Sequence, residues 1–137
     1  MNYASRACPF CEIVELGFLP HVLHEDEVAY VLLDRDSLGF GHCMVVPRHH
    51  VRQLHELSPV EYERVFALAK ELAPKLIRAT GKKAVGFVAF GSGLPHAHLH
   101  VVPNDDPSEL LKPSGERLTD AELAANAVRL RALFSTG

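Results

Sequence analysis

The chain has 137 residues, with 14 basic and 17 acidic side chains and a formal net charge of −3. This length predicts a single domain that can bury a core without disulfide bonds. The acidic balance does not predict a general nucleic-acid surface, which is usually basic. No stretch approaches the roughly 20 apolar residues of a membrane span. The N-terminus lacks the apolar segment of a signal peptide and the cysteine usage fits a reducing compartment, so we expect a cytoplasmic protein.

The first motif along the chain is Cys8-Pro9-Phe10-Cys11. A Cys-x-x-Cys pair is half of a typical zinc site and also a redox motif. The redox interpretation requires a thioredoxin-like βαβ context, which the following residues do not show. A zinc site completed by two histidines is therefore favoured, with two unligated thiols as the alternative.

The first half of the chain predicts a short helix followed by antiparallel strands. Residues 13–18 favour a helix that ends near Gly17, since glycine often follows the last helical turn. Apolar and β-branched runs between turn residues predict strands at 22–24, 28–33 and 42–46. An acidic triplet forms the first turn, and Pro47 stops the third strand.

The middle of the chain predicts a long helix and a strand. Ser58-Pro59-Val60-Glu61 is a capping box, and apolar residues recur after it at helical spacing. Pro74 should kink or split this helix, and Gly81 should close it. Residues 84–90 are apolar and rich in β-formers, which predicts a buried central strand.

The C-terminal part of the chain predicts a loop followed by a helix. Residues 104–117 are polar and contain prolines and glycine, so they predict the loop. Thr119-Asp120-Ala121-Glu122 is a second capping box that starts a helix over 121–134. One apolar stripe of this helix is formed by Leu123, Ala127, Leu130 and Phe134. We expect it to pack on the core or to contribute to a dimer or a pocket rim.

Three histidines at alternate positions, His96, His98 and His100, lie between Pro95 and Pro103. On a strand they would share one face, and the intervening residues would point into the core. A helix fits worse because it would turn the middle histidine away and needs more length than the prolines leave. Aligned imidazoles can bind a metal, act as a nucleophile, or form a polar strand face. The residues alone leave these three possibilities open.

The segment Gly91-Ser92-Gly93 directly precedes the histidines. Consecutive backbone N–H groups in a glycine-rich turn can cradle a phosphate. Alone this signal is weak, but beside three histidines it indicates an anion site.

The pattern His-φ-His-φ-His-φ-φ, from His96 to Val102, resembles the signature of the histidine triad (HIT) superfamily of nucleotide hydrolases and transferases. Asp34, Gly41-His42 and Pro47 follow a second pattern that is similar to this family. The Cys-x-x-Cys pair points to the Hint-like bacterial branch. The resemblance covers about residues 8–103 and implies one HIT domain over 1–137. It also implies an α+β fold with an antiparallel sheet of about five strands and helices packed on one face.

The resemblance also implies roles for individual residues. His98 matches the nucleophile that forms a nucleotidyl-histidine, and His42, His100 and the backbone at 91–93 match groups that stabilise phosphate charge. Asp34 matches the acid that accepts hydrogen bonds from ribose hydroxyls, with an ordinary surface aspartate as the alternative. The predicted ligands of a structural zinc ion are Cys8, Cys11, His50 and His96. If zinc holds His96, that side chain cannot also protonate the leaving group, so the general acid stays unassigned.

The resemblance implies a nucleotide phosphoramidase, a hydrolase that releases a nucleoside monophosphate from purine nucleotide conjugates such as AMP derivatives. The expected assembly is a homodimer. One departure is the stretch before the triad, which lacks the Asn and the Gly-Gln-Ser or Gly-Gln-Thr of many Hint relatives and looks shorter. The alternatives are an Fhit-like dinucleoside polyphosphate hydrolase, a non-catalytic nucleotide-binding regulator, and a metal hydrolase that uses the triad histidines as ligands.

Overall fold

A computed structural model of the chain describes residues 8–17, 21–111 and 116–135. The α-helices in these ranges are α1 (Pro9–Leu16), α2 (Pro59–Thr80) and α3 (Asp120–Ser135). The strands are β1 (Val22–Glu25), β2 (Ala29–Leu33), β3 (Asp36–Ser37), β4 (Cys43–Pro47), β5 (Ala84–Val88), β6 (Leu99–Asn104) and β7 (Glu116–Arg117). Short 3₁₀ turns cover Leu54–Glu56 and Pro107–Leu111.

The core of the fold is a five-stranded sheet with the order β1-β2-β4-β6-β5. Every neighbouring pair in this sheet is antiparallel. The two-residue strands β3 and β7 form a separate antiparallel pair. The predicted α+β fold with an antiparallel sheet of about five strands is therefore confirmed.

The two faces of the sheet bury different side chains, because successive strand residues point to opposite faces. Val31 and Val45 belong to the larger core cluster, together with the apolar stripes of α2 and α3. Tyr30 and Met44 belong to a second cluster with residues of α1. The two long helices thus pack on one face, as predicted, and the short helix α1 covers part of the opposite face.

Helix α2 begins and ends as predicted. The Ser58 hydroxyl accepts a hydrogen bond from the Glu61 backbone N–H at 3.2 Å, and the Glu61 carboxylate accepts one from the Ser58 N–H at 2.9 Å. Gly81 closes the helix with a φ of 74°, in the left-handed region that suits glycine. Pro74 does not split the helix, which is continuous through it. Pro74 is exposed, and buried side chains on both sides of it, including Leu72 and Leu76, hold the helix against the sheet.

Two strand predictions need correction. Strand β5 is shorter than predicted and lies at the edge of the sheet, not in its buried centre. Its apolar composition is misleading, because Phe87 is 46 % exposed. Strand β6 begins only at Leu99, so the first two triad histidines precede the strand. Val101 and Leu99 still point into the core, as the alternation predicts.

The N-terminal helix begins earlier than predicted, at Pro9. Its start is fixed because the Cys8 sulfur accepts a hydrogen bond from the Cys11 backbone N–H at 3.4 Å. Proline at the first helical position needs no N–H partner there. Helix α1 ends before Gly17, as predicted, and Phe18 lies outside the described residues.

The C-terminal helix α3 packs on the core. Thr119 and Glu122 form the predicted capping box through reciprocal hydrogen bonds of 2.9 and 3.1 Å. Leu123, Ala127 and Leu130 are at most 2 % exposed, so the predicted stripe is confirmed. The preceding segment is not the simple loop that was predicted, since it contains a 3₁₀ turn and β7. In the described parts of the chain, no helix has the length and apolarity needed to cross a membrane.

Candidate active site

The triad histidines lie on the face of the sheet that carries α1. The rings of His98 and His100 meet edge to face with centroids 4.9 Å apart. Phe10 of α1 contacts His96 and His98, with ring centroids 5.4 and 5.3 Å away. Helix α1 therefore holds the imidazoles of His96 and His98 in place through Phe10, although both histidines precede strand β6.

His98 has one ring nitrogen engaged and one available. Its Nδ1 lies 2.8 Å from the backbone oxygen of His96. A carbonyl oxygen only accepts hydrogen bonds, so Nδ1 carries the proton and donates it. In the neutral ring Nε2 then keeps a free lone pair, and the side chain is only 9 % exposed. This is the tautomer that an imidazole nucleophile needs.

His42 and His100 form an ordered pair behind the nucleophile. The Leu38 backbone N–H donates to His42 Nδ1 at 3.0 Å, so the proton of neutral His42 is on Nε2. His42 Nε2 lies 2.9 Å from His100 Nδ1 and donates to it. The proton of neutral His100 must therefore be on Nε2, where it can donate to a phosphate oxygen.

The site keeps these two imidazoles neutral. Burial lowers the pKa of His42 from 6.5 to about 4. Burial, together with the neighbouring His42 and His98, also lowers the pKa of His100 to about 4. The proton positions assigned to His42 and His100, which assume neutral rings, therefore hold at neutral pH.

Asp34 lies beside the same pair. Its Oδ2 is 3.5 Å from His42 Nε2 and 3.5 Å from His100 Nδ1. Its Oδ1 accepts a hydrogen bond from the Asp36 N–H at 2.9 Å. Burial raises the pKa of the Asp34 carboxyl above its ordinary value. The residue predicted to bind ribose is thus in the site, and its contact with ribose stays a prediction.

The four predicted zinc ligands come together as a second cluster. His96 Nδ1 lies 3.1 Å from Cys8 Sγ, 3.6 Å from Cys11 Sγ and 3.0 Å from His50 Nδ1, and Cys11 Sγ lies 3.3 Å from His50 Nδ1. Tetrahedral zinc with Cys and His ligands has ligand separations of roughly 3.3–3.8 Å. The cluster therefore has the composition and nearly the spacing of a closed structural zinc site.

The cysteine–histidine cluster differs from the group around Asp34 in which ring nitrogens of its histidines carry protons. His96 Nε2 lies 2.8 Å from the Pro47 oxygen and donates to it, which leaves Nδ1 free to bind a metal, as is usual for ligating histidines. The atoms of Asp34, His42 and His100 are also close enough to share an ion. There, however, His42 Nδ1 accepts a hydrogen bond from the Leu38 backbone N–H, so the proton of the neutral ring is on Nε2, the nitrogen that faces Asp34 and His100. The group formed by Asp34, His42 and His100 is therefore a hydrogen-bonded network and does not fit a metal.

The metal-hydrolase alternative requires all three triad histidines around one ion. The side chains in the described parts of the chain that could share a metal form two groups, and neither contains all three. His96 belongs to the cysteine group and His100 to the aspartate group, whereas His98 belongs to neither. Within the described residues, the three triad histidines therefore do not surround one metal site.

Only one residue of the predicted phosphate loop, Gly91, lines a cavity beside the triad. Gly91 lines a cavity together with His98, whereas Ser92 and Gly93 do not line it. Gly93 has a φ of 98°, which requires glycine. A Cβ atom at Gly91 would lie 2.6 Å from the amide oxygen of Gln53, so this glycine permits close approach of the loop to that side chain.

Sequence reasoning missed several residues of this region. Phe10 falls between the two cysteines and gave no signal of its own. Gln53, His55 and Tyr62 line a cavity with His98, and no sequence pattern pointed to them. The position of the cavity residues depends on how the 3₁₀ turn and the start of α2 lie against the triad, and no local pattern reveals that.

Comparisons with known proteins identify the family of this chain. The HIT domain family model matches residues 20–107, so the chain belongs to the HIT family. The chain is 30% identical over 104 residues to the HIT-like protein MG132 of Mycoplasma genitalium, covering 72% of this chain and 74% of that protein. It is 28% identical over 104 residues to the adenosine 5'-monophosphoramidase HNT1 of Saccharomyces cerevisiae, covering 74% of this chain and 65% of the yeast protein.

A solved structure shows the same fold. A zinc-bound histidine triad family protein from Mycobacterium smegmatis superposes with a TM-score of 0.75 at 22% identity, covering 97% of this chain and 99% of that one. The similarity extends past the family match, so it includes the C-terminal helix region. The family assignment made from the triad and the glycine-histidine pattern is confirmed.

Proposed function

We propose that this protein is a nucleotide phosphoramidase that releases AMP or another purine nucleoside monophosphate from an amine conjugate. His98 Nε2 attacks the α-phosphorus, the bond from phosphorus to the leaving nitrogen breaks, and a nucleotidyl-histidine forms. Water then attacks the same phosphorus, releases the monophosphate and restores His98. Dividing one displacement into two easier ones is the usual gain of covalent catalysis.

The proposal is supported most directly by the hydrogen bonds that determine which ring nitrogen of each histidine carries the proton. The backbone oxygen of His96 accepts a hydrogen bond from His98 Nδ1–H, and the hydrogen bonds from Leu38 to His42 and from His42 to His100 orient the remaining imidazoles. His98 is thereby supplied with a free lone pair, and His100 presents a donor for the charge that builds on phosphate oxygens. The name of the yeast relative, an adenosine 5'-monophosphoramidase, agrees with this chemistry.

We also propose that Cys8, Cys11, His50 and His96 hold a structural zinc ion. Burial, with the hydrogen bond and charge of Cys8, raises the pKa of Cys11 to about 12, so the Cys11 thiol needs a nearby cation to become a thiolate. Bound zinc would supply structural cross-linking between α1 and the triad segment. This role for His96 removes it from proton transfer. The mycobacterial structure described above is named as zinc-bound.

Three further expectations belong to this proposal. Asp34 binds the ribose hydroxyls, and the backbone of 91–93 contributes to phosphate binding. The protein acts as a homodimer, as HIT relatives usually do, which light scattering would test. A cytoplasmic location is supported by the free state of the cysteines at 8, 11 and 43.

The test is AMP release from an AMP–lysine phosphoramidate by the wild type and by His98→Ala. The control is His49→Ala, because His49 is 59% exposed, pairs with Glu61 and belongs to neither the nucleophile nor the proposed zinc ligands. We expect wild-type and control turnover, with and without a brief chelator treatment, and loss of turnover in His98→Ala. Activity retained by His98→Ala would exclude the nucleophile role.

The same assay separates the alternatives. A dinucleoside polyphosphate hydrolase would prefer diadenosine triphosphate to the phosphoramidate. A regulator would bind AMP, as seen by calorimetry, without releasing product from either compound. The shortened phosphate loop is the feature that motivates the regulator alternative.

A further inference from the structure

The loop at residues 34–42 presents two side chains of the candidate site. The Asp36 N–H donates to Asp34 Oδ1 at 2.9 Å, and the Leu38 N–H donates to His42 Nδ1 at 3.0 Å. These two backbone groups therefore orient the carboxylate and the imidazole. The position of this short stretch of backbone thus determines how both side chains point.

The C-terminal part of the chain pairs with this loop through its backbone. Strand β3 lies inside the loop and is antiparallel to β7, with Asp36 opposite Arg117. The Arg117 guanidinium also lies 3.2 Å from Asp36 Oδ1. The Leu118 N–H donates to the Arg35 backbone oxygen at 2.8 Å. The C-terminal partners in these contacts lie beyond residue 107, where the family match ends.

The side chain of Arg35 adds a second connection at the start of the loop. Its Nη1 donates to the Leu118 oxygen at 3.2 Å, and its Nη2 lies 2.7 Å from Asp120 Oδ1. A planar guanidinium can make both contacts at once, because its N–H groups point in fixed directions. Arg35 therefore joins the loop to β7 and to the first turn of α3.

Phe40, near the other end of the loop, is also in contact with α3. The guanidinium carbon of Arg129 lies 4.0 Å from the centroid of the Phe40 ring, and a cation over an aromatic face is attracted to it. On its own side Phe40 packs against the larger core cluster. Helix α3 thus contacts the loop close to both of its ends.

These contacts are not required to anchor α3 itself. Leu123, Ala127 and Leu130 already bury one side of the helix in the core, and exposed ion pairs add little to stability. What the contacts share is their position on the loop that carries Asp34 and His42. This distribution favours a role in holding the loop over a role in holding the helix.

We propose that residues 116–129 form a C-terminal clamp that holds the 34–42 loop in its active arrangement. Arg35 and Arg129 are its positioning residues, since each joins the loop to α3 without belonging to the candidate site. The clamp keeps the Asp34 carboxylate in the orientation that distinguishes ribose from a sugar without hydroxyls. The inference rests on the proposed function, in which Asp34 binds the ribose hydroxyls.

The first readout is sugar selectivity. It is the ratio of kcat/KM for the AMP–lysine phosphoramidate to kcat/KM for its 2′,3′-dideoxy counterpart, which lacks the hydroxyls that Asp34 is proposed to bind. Each kcat/KM value measures transition-state stabilisation relative to free enzyme and substrate. A general loss of folded enzyme lowers both values together and leaves their ratio unchanged.

The second readout is deuterium uptake by the peptide that contains residues 34–42, measured by mass spectrometry without substrate. Amide exchange reports local opening, so this readout does not depend on the proposed activity. It detects whether the clamp holds the loop, whereas the selectivity ratio detects whether the held loop reads the sugar.

The variants are Arg35→Ala and Arg129→Ala, with two controls. Arg129→Lys keeps a cation for the Phe40 ring. Arg64→Ala is the matched control for Arg35, because both arginine side chains are 34% exposed and both lie 2.7 Å from an aspartate oxygen. The partner of Arg64 is Asp26, which lies outside the loop and outside the clamp.

We expect the wild type to prefer the ribose conjugate by at least about tenfold, which is the effect of hydrogen bonds to a charged group. Arg35→Ala and Arg129→Ala should each lower this ratio by about two- to fivefold, the range for exposed ion pairs and cation–π contacts. Both should also raise deuterium uptake by the 34–42 peptide. Arg129→Lys and Arg64→Ala should keep the wild-type ratio and uptake.

Two results would overturn the clamp. One is an unchanged ratio and uptake in both alanine variants, and the other is an equal change in Arg64→Ala. A wild type that treats the two conjugates alike would also overturn the inference, because Asp34 would then have no selectivity to maintain. Failure of the wild type to release AMP from either conjugate would overturn the proposed function instead, and the uptake of the variants would still decide whether the clamp holds the loop.

Discussion

The burial of His42 makes the stability of the protein depend on pH. The side chain is 3 % exposed, and burial lowers its pKa from 6.5 to about 4. Between these values the unfolded chain binds a proton that the folded protein does not bind. The free energy of unfolding must therefore fall as the pH drops below 6.5, and this loss ends below about 4.

The size of this effect follows from the shift. One pKa unit corresponds to about 1.4 kcal/mol, so the 1.5 units between pH 6.5 and pH 5 make His42 alone cost about 2 kcal/mol of unfolding free energy. Other buried histidines add their own losses, and a comparison with a variant measures the contribution of His42 together with its effect on the pKa of His100. The variant is His42→Asn, since an asparagine oxygen can accept the Leu38 N–H in place of Nδ1 but does not titrate.

The assay is urea denaturation of both proteins at pH 7 and pH 5, read by circular dichroism. We expect the wild type to lose about 2 kcal/mol more than His42→Asn between the two pH values. The absolute stability of the variant does not enter, because only the pH-dependent difference is compared. Parallel losses in the two proteins would show that His42 is not buried in its neutral form.

Three further changes test the metal site, the backbone and the core. Cys11→Ser should abolish the binding of about one zinc ion per chain and lower the melting temperature, as measured by metal analysis and calorimetry. Gly41→Ala should lower the free energy of unfolding by about 1–3 kcal/mol, which is more than Gly81→Ala should lower it. Both glycines have a positive φ, but only at Gly41 would a Cβ lie 2.8 Å from a threonine side chain. Denaturation of both variants checks this difference. Leu130→Ala should cost about 2–5 kcal/mol because the residue is fully buried, whereas the same change at the exposed Val128 should alter the unfolding free energy by less than about 0.5 kcal/mol.

The sequence predicted the parts of the fold that local chemistry determines. The capping boxes at Ser58 and Thr119 and the glycine at position 81 each satisfy backbone groups within a few residues. The alternation around the triad likewise assigned Leu99 and Val101 to the core. Such features need no knowledge of distant contacts.

The errors concern properties that depend on tertiary neighbours. The strand β5 has the composition of a buried strand, yet only one neighbour pairs with it. Pro74 breaks isolated helices, but here buried residues on both sides hold the helix in place. These outcomes depend on what packs against each element, which the sequence pattern does not reveal.

In the candidate site, too, some features follow from the sequence pattern and others depend on tertiary contacts. The family pattern identified His42, His98 and the four members of the cysteine–histidine cluster, whose proximity the structure shows. The pattern left open how the triad is shared between two roles. Hydrogen bonds to the carbonyls of His96 and Pro47 distinguish them, and these partners are 2 and 49 positions away in sequence.

The central claim, that His98 is the nucleophile, is tested most directly by trapping the intermediate. The enzyme would be mixed with excess AMP phosphoramidate, quenched in base within milliseconds and analysed by peptide mass spectrometry. We predict a transient adenylyl group on the peptide that contains the triad, located on His98 and absent from His98→Ala. Full turnover by the wild type with no adduct, or with the adduct on another histidine, would contradict the account.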